Sequence, residues 1–132
     1  MDPAKVFSLF QEICQIPRES GHEENIIAYL EQFAASRGLE HRTDNAGNVV
    51  ITKPGTKGME NAPTVILQSH SDMVCEKNSG VDHDFRKDPI KVTEENGWLI
   101  AKETTLGADC GIGMAAQLAI LASAPIAHGP IE

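Results

Sequence analysis

The stretch Thr64-Val65-Ile66-Leu67-Gln68-Ser69-His70-Ser71-Asp72 runs from a short β-branched apolar segment into a polar end. An apolar run this short, preceded by the turn-rich segment Pro54-Gly55 to Pro63, predicts a strand buried on both faces of a sheet. Its polar end then falls at the strand's carboxyl terminus, where open α/β sheets bind ligands.

Downstream, Glu76 to Asp88 is charged and loop-like. Glu95-Asn96-Gly97 then joins Ile90-Lys91-Val92-Thr93 to Trp98-Leu99-Ile100-Ala101 in a predicted hairpin. A glycine-punctuated loop, Thr104 to Gly111, leads into Ile112 to Ala124, which is apolar nearly all round. That predicts a helix buried by neighbours on more than one side, a sheet among them.

Upstream, Asp2 before Pro3 predicts a helix start, with Val6, Phe7, Phe10, Ile13 and Cys14 on its apolar face until Pro17. Ser20-Gly21-His22-Glu23 has the form of a capping box, followed by Ile26, Ile27, Leu30, Phe33 and Ala34, with Gly38 placed to end that helix. Leu39 to Thr43 and Asn48 to Lys53 bracket Asp44-Asn45-Ala46-Gly47 as two strands and a turn. Helices alternating with short strands predict an α/β fold, a mixed sheet with helices packed on it.

With 132 residues, 41% of them hydrophobic, the chain is long enough for one domain with a real core. Folding would bury roughly two-thirds of the surface that the unfolded chain exposes. A net charge of -8 and the lack of any Lys/Arg cluster interleaved with aromatics argue against nucleic acid as a partner. No apolar run approaches the ~20 residues that span a bilayer. Met1 to Phe10 lacks the basic and apolar regions of a signal peptide, so the cytoplasm is the expected compartment. Cys14, Cys75 and Cys110 are too widely spaced for a C-x-x-C pair and are expected as reduced thiols.

Two places could carry chemistry. Residues two apart in an extended segment point the same way, so the Asp72 carboxylate can reach one ring nitrogen of His70 while the other faces a metal or substrate. The alternative is a loop histidine beside a solvated carboxylate. Asp109, in Leu106-Gly107-Ala108-Asp109-Cys110-Gly111-Ile112-Gly113, stands near a helix start whose free N–H groups favour an ionised carboxylate. Simple capping is the alternative.

The remaining patterns carry less. Gly111-Ile112-Gly113-Met114-Ala115-Ala116 imitates a dinucleotide-binding fingerprint but follows a loop instead of a strand. Asp82-His83-Asp84 lies in a charged loop and is expected to be a solvated face. His22, His41 and His128 have no evident partner. No sequence feature activates Cys75 or Cys110 as a nucleophile.

Leu67-Gln68-Ser69-His70-Ser71-Asp72-Met73-Val74 together with Thr104-Thr105-Leu106-Gly107-Ala108-Asp109-Cys110-Gly111-Ile112-Gly113-Met114-Ala115 resembles the aminoacyl-histidine dipeptidases, a branch of the M20 dizinc metallopeptidases. Ile16-Pro17, His22-Glu23-Glu24, Gly47 to Ile51, Lys53 to Asn61, His83-Asp84-Phe85, Lys87 to Ile90 and His128 to Glu132 extend the resemblance in register. It implies a zinc-peptidase-like catalytic domain that hydrolyses dipeptides, Xaa-His among them, with a metal-activated water. By it, His70 would ligate one zinc, Asp109 would bridge two, and Asp72 would orient His70 beside the reacting water. It also implies a small peptide substrate and, in the complete enzyme, a homodimer.

Cys110 stands where relatives commonly have Asn, and Ser71 where some have Leu. A thiol is a softer donor than an amide, which bears on metal preference. In the family the general-base Glu and an adjacent Glu ligand follow a strand that would begin around Ile131, and further Asp and His ligands come later. Glu132 matches a strand-start residue, not that base. Residues 1–132 are therefore expected to be the N-terminal part of the catalytic domain, inactive alone, with an unpaired sheet edge and uncovered apolar surface. Competing expectations are another specificity, such as tripeptidase, aminoacylase or carboxypeptidase, a non-catalytic module that keeps the fold, and a dinucleotide-binding domain.

Overall fold

The Asp2 side chain accepts the Ala4 N–H at 3.0 Å, and Pro3 begins the first helix, α1 (Pro3–Cys14). Proline has no N–H to lose there, so the cap and the first turn agree. Leu9, Phe10, Ile13 and Cys14 recur on one side of α1 and are buried. The computed structural model describes residues 2–123 and 126–132; Met1 and Ala124, named above in the N-terminal segment and the apolar helix, lie outside the described residues.

Helix α2 (Glu24–Ala35) starts later than the capping box predicts, and Glu23 at its N-cap makes no side-chain capping bond. The Ser20 hydroxyl donates to Asp72 instead, and the Glu23 carboxylate takes the Gly21 N–H at 2.6 Å. A tertiary partner has displaced a local one. At the other end Gly38 has φ +64°, and the Leu39 N–H reaches back to the Ala34 carbonyl at 3.0 Å, the left-handed exit the sequence predicts.

Strands β1 (Glu40–Thr43) and β2 (Val49–Thr52) pair antiparallel, Glu40 opposite Thr52 and Thr43 opposite Val49. Asp44 closes their turn by accepting the Ala46 and Asn48 N–H groups, both at 2.9 Å. Strands β3 (Val92–Glu95) and β4 (Trp98–Ala101) form a second antiparallel pair. Asn96 and Gly97 both take positive φ, 51° and 81°, as a two-residue Asn-Gly turn requires. Ile90, expected in that hairpin, is buried apart from it and donates its N–H to the Cys14 carbonyl at 2.9 Å.

Helix α3 (Ala108–Ala122) contains two residues with non-helical backbone, Asp109 and Cys110, so its regular part begins at Gly111. Met114, Ala115, Leu118 and Ala119 are buried in the core that Leu9, Phe10 and Ile13 of α1 share. The predicted sheet against this helix is replaced by α1, its principal partner. Just past β2, the Lys53 ammonium donates to the carbonyls of Ile120 (3.0 Å) and Ser123 (2.8 Å) at the C-terminal end of α3.

Thr64 to Leu67 departs most from expectation. It pairs in parallel with residues 130–132 through Val65 N–H to Pro130 O (2.9 Å), Glu132 N–H to Val65 O (3.0 Å) and Leu67 N–H to Glu132 O (2.8 Å). Ile131 also bridges antiparallel to Lys53, so the mixed sheet exists as isolated bridges beside two small two-stranded sheets. The run is not buried: Val65 is 53% and Ile66 70% exposed. Among the described residues only one edge of this run is paired, and no element covers the face that Ile66 presents. The α/β class stands, with three helices and small sheets among the described residues.

Candidate metal centre

The segment after Leu67 stays extended and is pinned by Met73, which is buried and donates its N–H to the Arg18 carbonyl at 2.9 Å. Arg18, 1% exposed, holds the segment from beneath. Its Nη1 donates to the carbonyls of Ser71 (3.1 Å) and Asp72 (2.8 Å), and its Nη2 to the carbonyl of Gly107 (2.5 Å). Burial pulls the pKa of Arg18 below its ordinary value, but a guanidinium keeps its charge in a protein. One buried cation thus joins the end of the apolar run to the loop before α3.

Glycine is required on the far side of that clamp. Gly107 has φ +72°, and a Cβ there would stand 2.5 Å from Arg18 Nη2 and 2.8 Å from Met73 Sδ. At Gly111 a Cβ would meet Arg18 Nη2 at 2.8 Å and Phe10 at 3.0 Å. Gly111, the first glycine of the pattern that imitates a dinucleotide fingerprint, lets α3 close against α1 and Arg18.

The clamp brings His70 and Asp109 together across 39 positions of sequence. His70 Nδ1 lies 2.9 Å from Asp72 Oδ1, and Nε2 lies 3.1 Å from Asp109 Oδ1. The pairing of His70 with Asp72 that their spacing suggests is present, and the second nitrogen faces a second carboxylate. Asp109 accepts no helix N–H among the described residues, and its side chain is 96% exposed. It is turned to His70 and does not cap α3.

With a carboxylate at each nitrogen the imidazolium, which donates from both, is favoured, and the pKa of His70 is raised, chiefly by the Asp109 hydrogen bond. Asp72 is held below the usual carboxylate range, first by the Ser20 hydroxyl and then by His70. Burial works against both shifts.

Cys110 completes a cluster. Ligand atoms of His70, Asp109 and Cys110 all lie within 4.8 Å of one another. Imidazole nitrogen, carboxylate oxygen and thiolate sulfur are the three donor types that zinc takes, so the residues fit that ion. The 3.1 Å between His70 Nε2 and Asp109 Oδ1 is close to the roughly 3.3 Å between two ligands of one tetrahedral ion. A cavity of about 530 Å³ adjoins the cluster, its lining including His70, Asp72, Ile27, Leu30, Leu67 and Leu118.

Elsewhere the sequence-based expectations fare unevenly. Asp82 and Asp84 are exposed or partly so, as expected of a charged loop, but His83 is 7% exposed, its ring edge-on to Phe85, with Nε2 lacking a partner among the described residues. The aromatic two residues along, not the surrounding charge, decides its place. His41 and His128 contact the backbone carbonyls of Leu39 and Gly129. Arg18 is not legible in the sequence as a site residue, since a lone cation after a proline has no periodicity. Ser20 is legible only as a cap.

No family model matches the chain. Its fold is a peptidase fold: it superimposes on a crystal structure of a Staphylococcus aureus tripeptidase with a TM-score of 0.77 at 27% identity, covering 99% of this chain and 35% of that one. The likeness is much nearer to dipeptidases. An aminoacylhistidine dipeptidase from Vibrio alginolyticus matches with a TM-score of 0.94 and 51% identity over 99% of this chain and 27% of that chain. The cytosol non-specific dipeptidase of Escherichia coli is 46% identical over all 132 residues. The resemblance to the aminoacyl-histidine dipeptidases thus runs the length of the chain, which spans only 27% of the E. coli relative. No helix among the described residues is long and apolar enough to cross a membrane.

Proposed function

We propose that this chain is the N-terminal part of the catalytic domain of an M20-type metallodipeptidase, and that His70 and Asp109 are zinc ligands within it. The observation that carries the reading is the His70 imidazole held between Asp72 and Asp109 at 2.9 and 3.1 Å. A bound pair of divalent ions would supply the polarisation of the scissile carbonyl and the acidification of water that amide hydrolysis needs. Asp72 fixes the ring of His70 through Nδ1 and leaves Nε2 directed at the cluster, the arrangement typical of a ligating histidine. Asp109, exposed and unencumbered by capping, meets only His70 through Oδ1, so its carboxylate could lie between two cations.

The substrate class is dipeptides, Xaa-His among them, in keeping with the two dipeptidase relatives. The cytosol named in the E. coli relative supports a cytoplasmic location, and a homodimer is the proposed assembly of the complete enzyme. The chain alone is proposed to be inactive. A catalytic zinc site typically has three protein ligands and needs a general base besides. Among the described residues the cluster gathers His70, Asp109 and Cys110, and Asp72, the acid on the other side of His70, is engaged by His70 and Ser20.

Zinc titration by calorimetry tests the reading, with His70→Ala and Asp109→Ala alongside. Binding that both substitutions abolish is expected. Variants that bind zinc as the parent does would overturn the ligand assignment. Chelator-sensitive hydrolysis of a dipeptide by the 132-residue chain would overturn the claim that it is inactive.

A further inference from the structure

We infer that Cys110 is itself a ligand of this centre, its thiolate taking a soft or borderline divalent ion together with His70 and Asp109. The inference rests on the proposed reading of His70 and Asp109 as metal ligands and goes beyond it, because the family pattern has an amide at this position.

Four observations carry it. The sulfur belongs to the one group of three or more ligand-bearing side chains among the described residues whose donor atoms all lie within 4.8 Å. Two donors on one tetrahedral zinc, at about 2.0–2.3 Å each, stand about 3.3–3.8 Å apart, so a spread of up to 4.8 Å closes with side-chain shifts of about 1 Å. Asp109 and Cys110 have backbone angles of (−91°, 112°) and (−100°, 27°), so neither is yet part of the helical spiral, and both serve the cluster from adjacent positions. The sulfur also sits over Gly113, where a Cβ would approach it to 2.7 Å, so the glycine leaves the space that the thiol occupies.

The thiol is available as well as close. Cys110 is partly exposed and makes no hydrogen bond among the described residues, whereas Cys75 donates toward the Met73 carbonyl at 3.6 Å and Cys14 is buried. On ligation the thiol loses its proton to water and the sulfur binds as thiolate. An amide oxygen in its place would suit harder ions, so this exchange shifts the centre towards zinc, cobalt or cadmium and away from magnesium or manganese.

Cobalt(II) is the probe, because thiolate ligation gives an intense near-ultraviolet charge-transfer band that nitrogen and oxygen donors do not. Titrating the 132-residue chain with cobalt is expected to produce that band, and Cys110→Asn and Cys110→Ser to remove it while Cys75→Ser keeps it. Cobalt binding by calorimetry should persist in both Cys110 variants, weakened by at least about tenfold, the loss expected for even an outer-shell partner. Cobalt bound without the band, or a band that survives both Cys110 substitutions, would overturn the inference and leave the His70 and Asp109 assignment in place. No cobalt or zinc binding by the parent chain would overturn both. Circular dichroism of each variant establishes that it is folded before its spectrum is read.

Discussion

Arg18 donates from Nη2 to the Gly107 carbonyl at 2.5 Å while its other terminal nitrogen holds the carbonyls of Ser71 and Asp72. The separation of His70 from Asp109 is therefore set by a side chain that touches neither. Removing the guanidinium leaves the Ser71 carbonyl without its donor. It also strips the shorter bond from those of Asp72 and Gly107, which keep His70 Nδ1 and the Gly111 N–H, each at 3.2 Å. An unsatisfied buried acceptor costs about 1–3 kcal/mol. Arg18→Ala should lower stability in urea unfolding by on the order of 3 kcal/mol. Arg18→Lys should recover only part of that, because a point charge cannot span both segments. A loss below about 1 kcal/mol in Arg18→Ala would show that water replaces the clamp.

Gly107 meets the same clamp from outside. Its φ of +72° costs an L-residue about 1–2 kcal/mol, and a methyl group would also press on Arg18 and Met73. Gly21, at φ +84°, has nothing within 4 Å of the place a methyl would take and serves as the control for backbone strain alone. Gly107→Ala should lose at least about 1 kcal/mol more than Gly21→Ala in thermal or urea unfolding. Equal losses would mean that the core yields freely around the added carbon.

Cys14 predicts a pH dependence. It is 1% exposed, and burial pushes its thiol up from 9.0 to about 11, with Arg18 opposing the shift. The unfolded chain gives up this proton near pH 9 while the folded chain keeps it, so the contribution is intact below about pH 9 and is lost as pH rises toward 11. The full loss is on the order of 2–3 kcal/mol. Tyr29, also raised by burial, adds to alkaline unfolding. The quantity to measure is accordingly the stability difference between the parent and Cys14→Ala from pH 8 to 11. It should shrink across that range, and a constant difference would contradict the shift.

Local signals are legible in the sequence where local partners win. Asp2 with Pro3, Gly38, Asp44 and Asn96-Gly97 each complete a cap or turn within a few residues, and the structure has all of them. The pairing of His70 with Asp72 is legible because two positions of extended chain fix it. Ser20 misleads because its motif is equally satisfied by a partner 52 positions away. The Thr64 to Leu67 run misleads because β-branching predicts a strand but not what lies on its two sides. Arg18 can be found only from packing, since its three acceptors lie 53, 54 and 89 positions downstream.

Asp72 makes the sharpest test of the site itself. Its carboxylate takes His70 Nδ1 at 2.9 Å and the Ser20 hydroxyl at 2.5 Å, so the ring that the proposed function assigns to zinc is aimed by an acid that is itself aimed by a serine. Asp72→Asn keeps the shape but removes the charge that strengthens His70 as a donor and fixes which nitrogen carries the proton. Loss of such a partner typically weakens metal binding by about 10–100-fold. Calorimetry should therefore show zinc affinity falling by about one to two decades in Asp72→Asn and by less in Ser20→Ala, which leaves the carboxylate in place. Neither change touches the buried core, so unfolding midpoints should stay close to the parent's. Undiminished zinc affinity in a folded Asp72→Asn would mean that His70 is held by something other than this carboxylate, and the role proposed for Asp72 would be withdrawn.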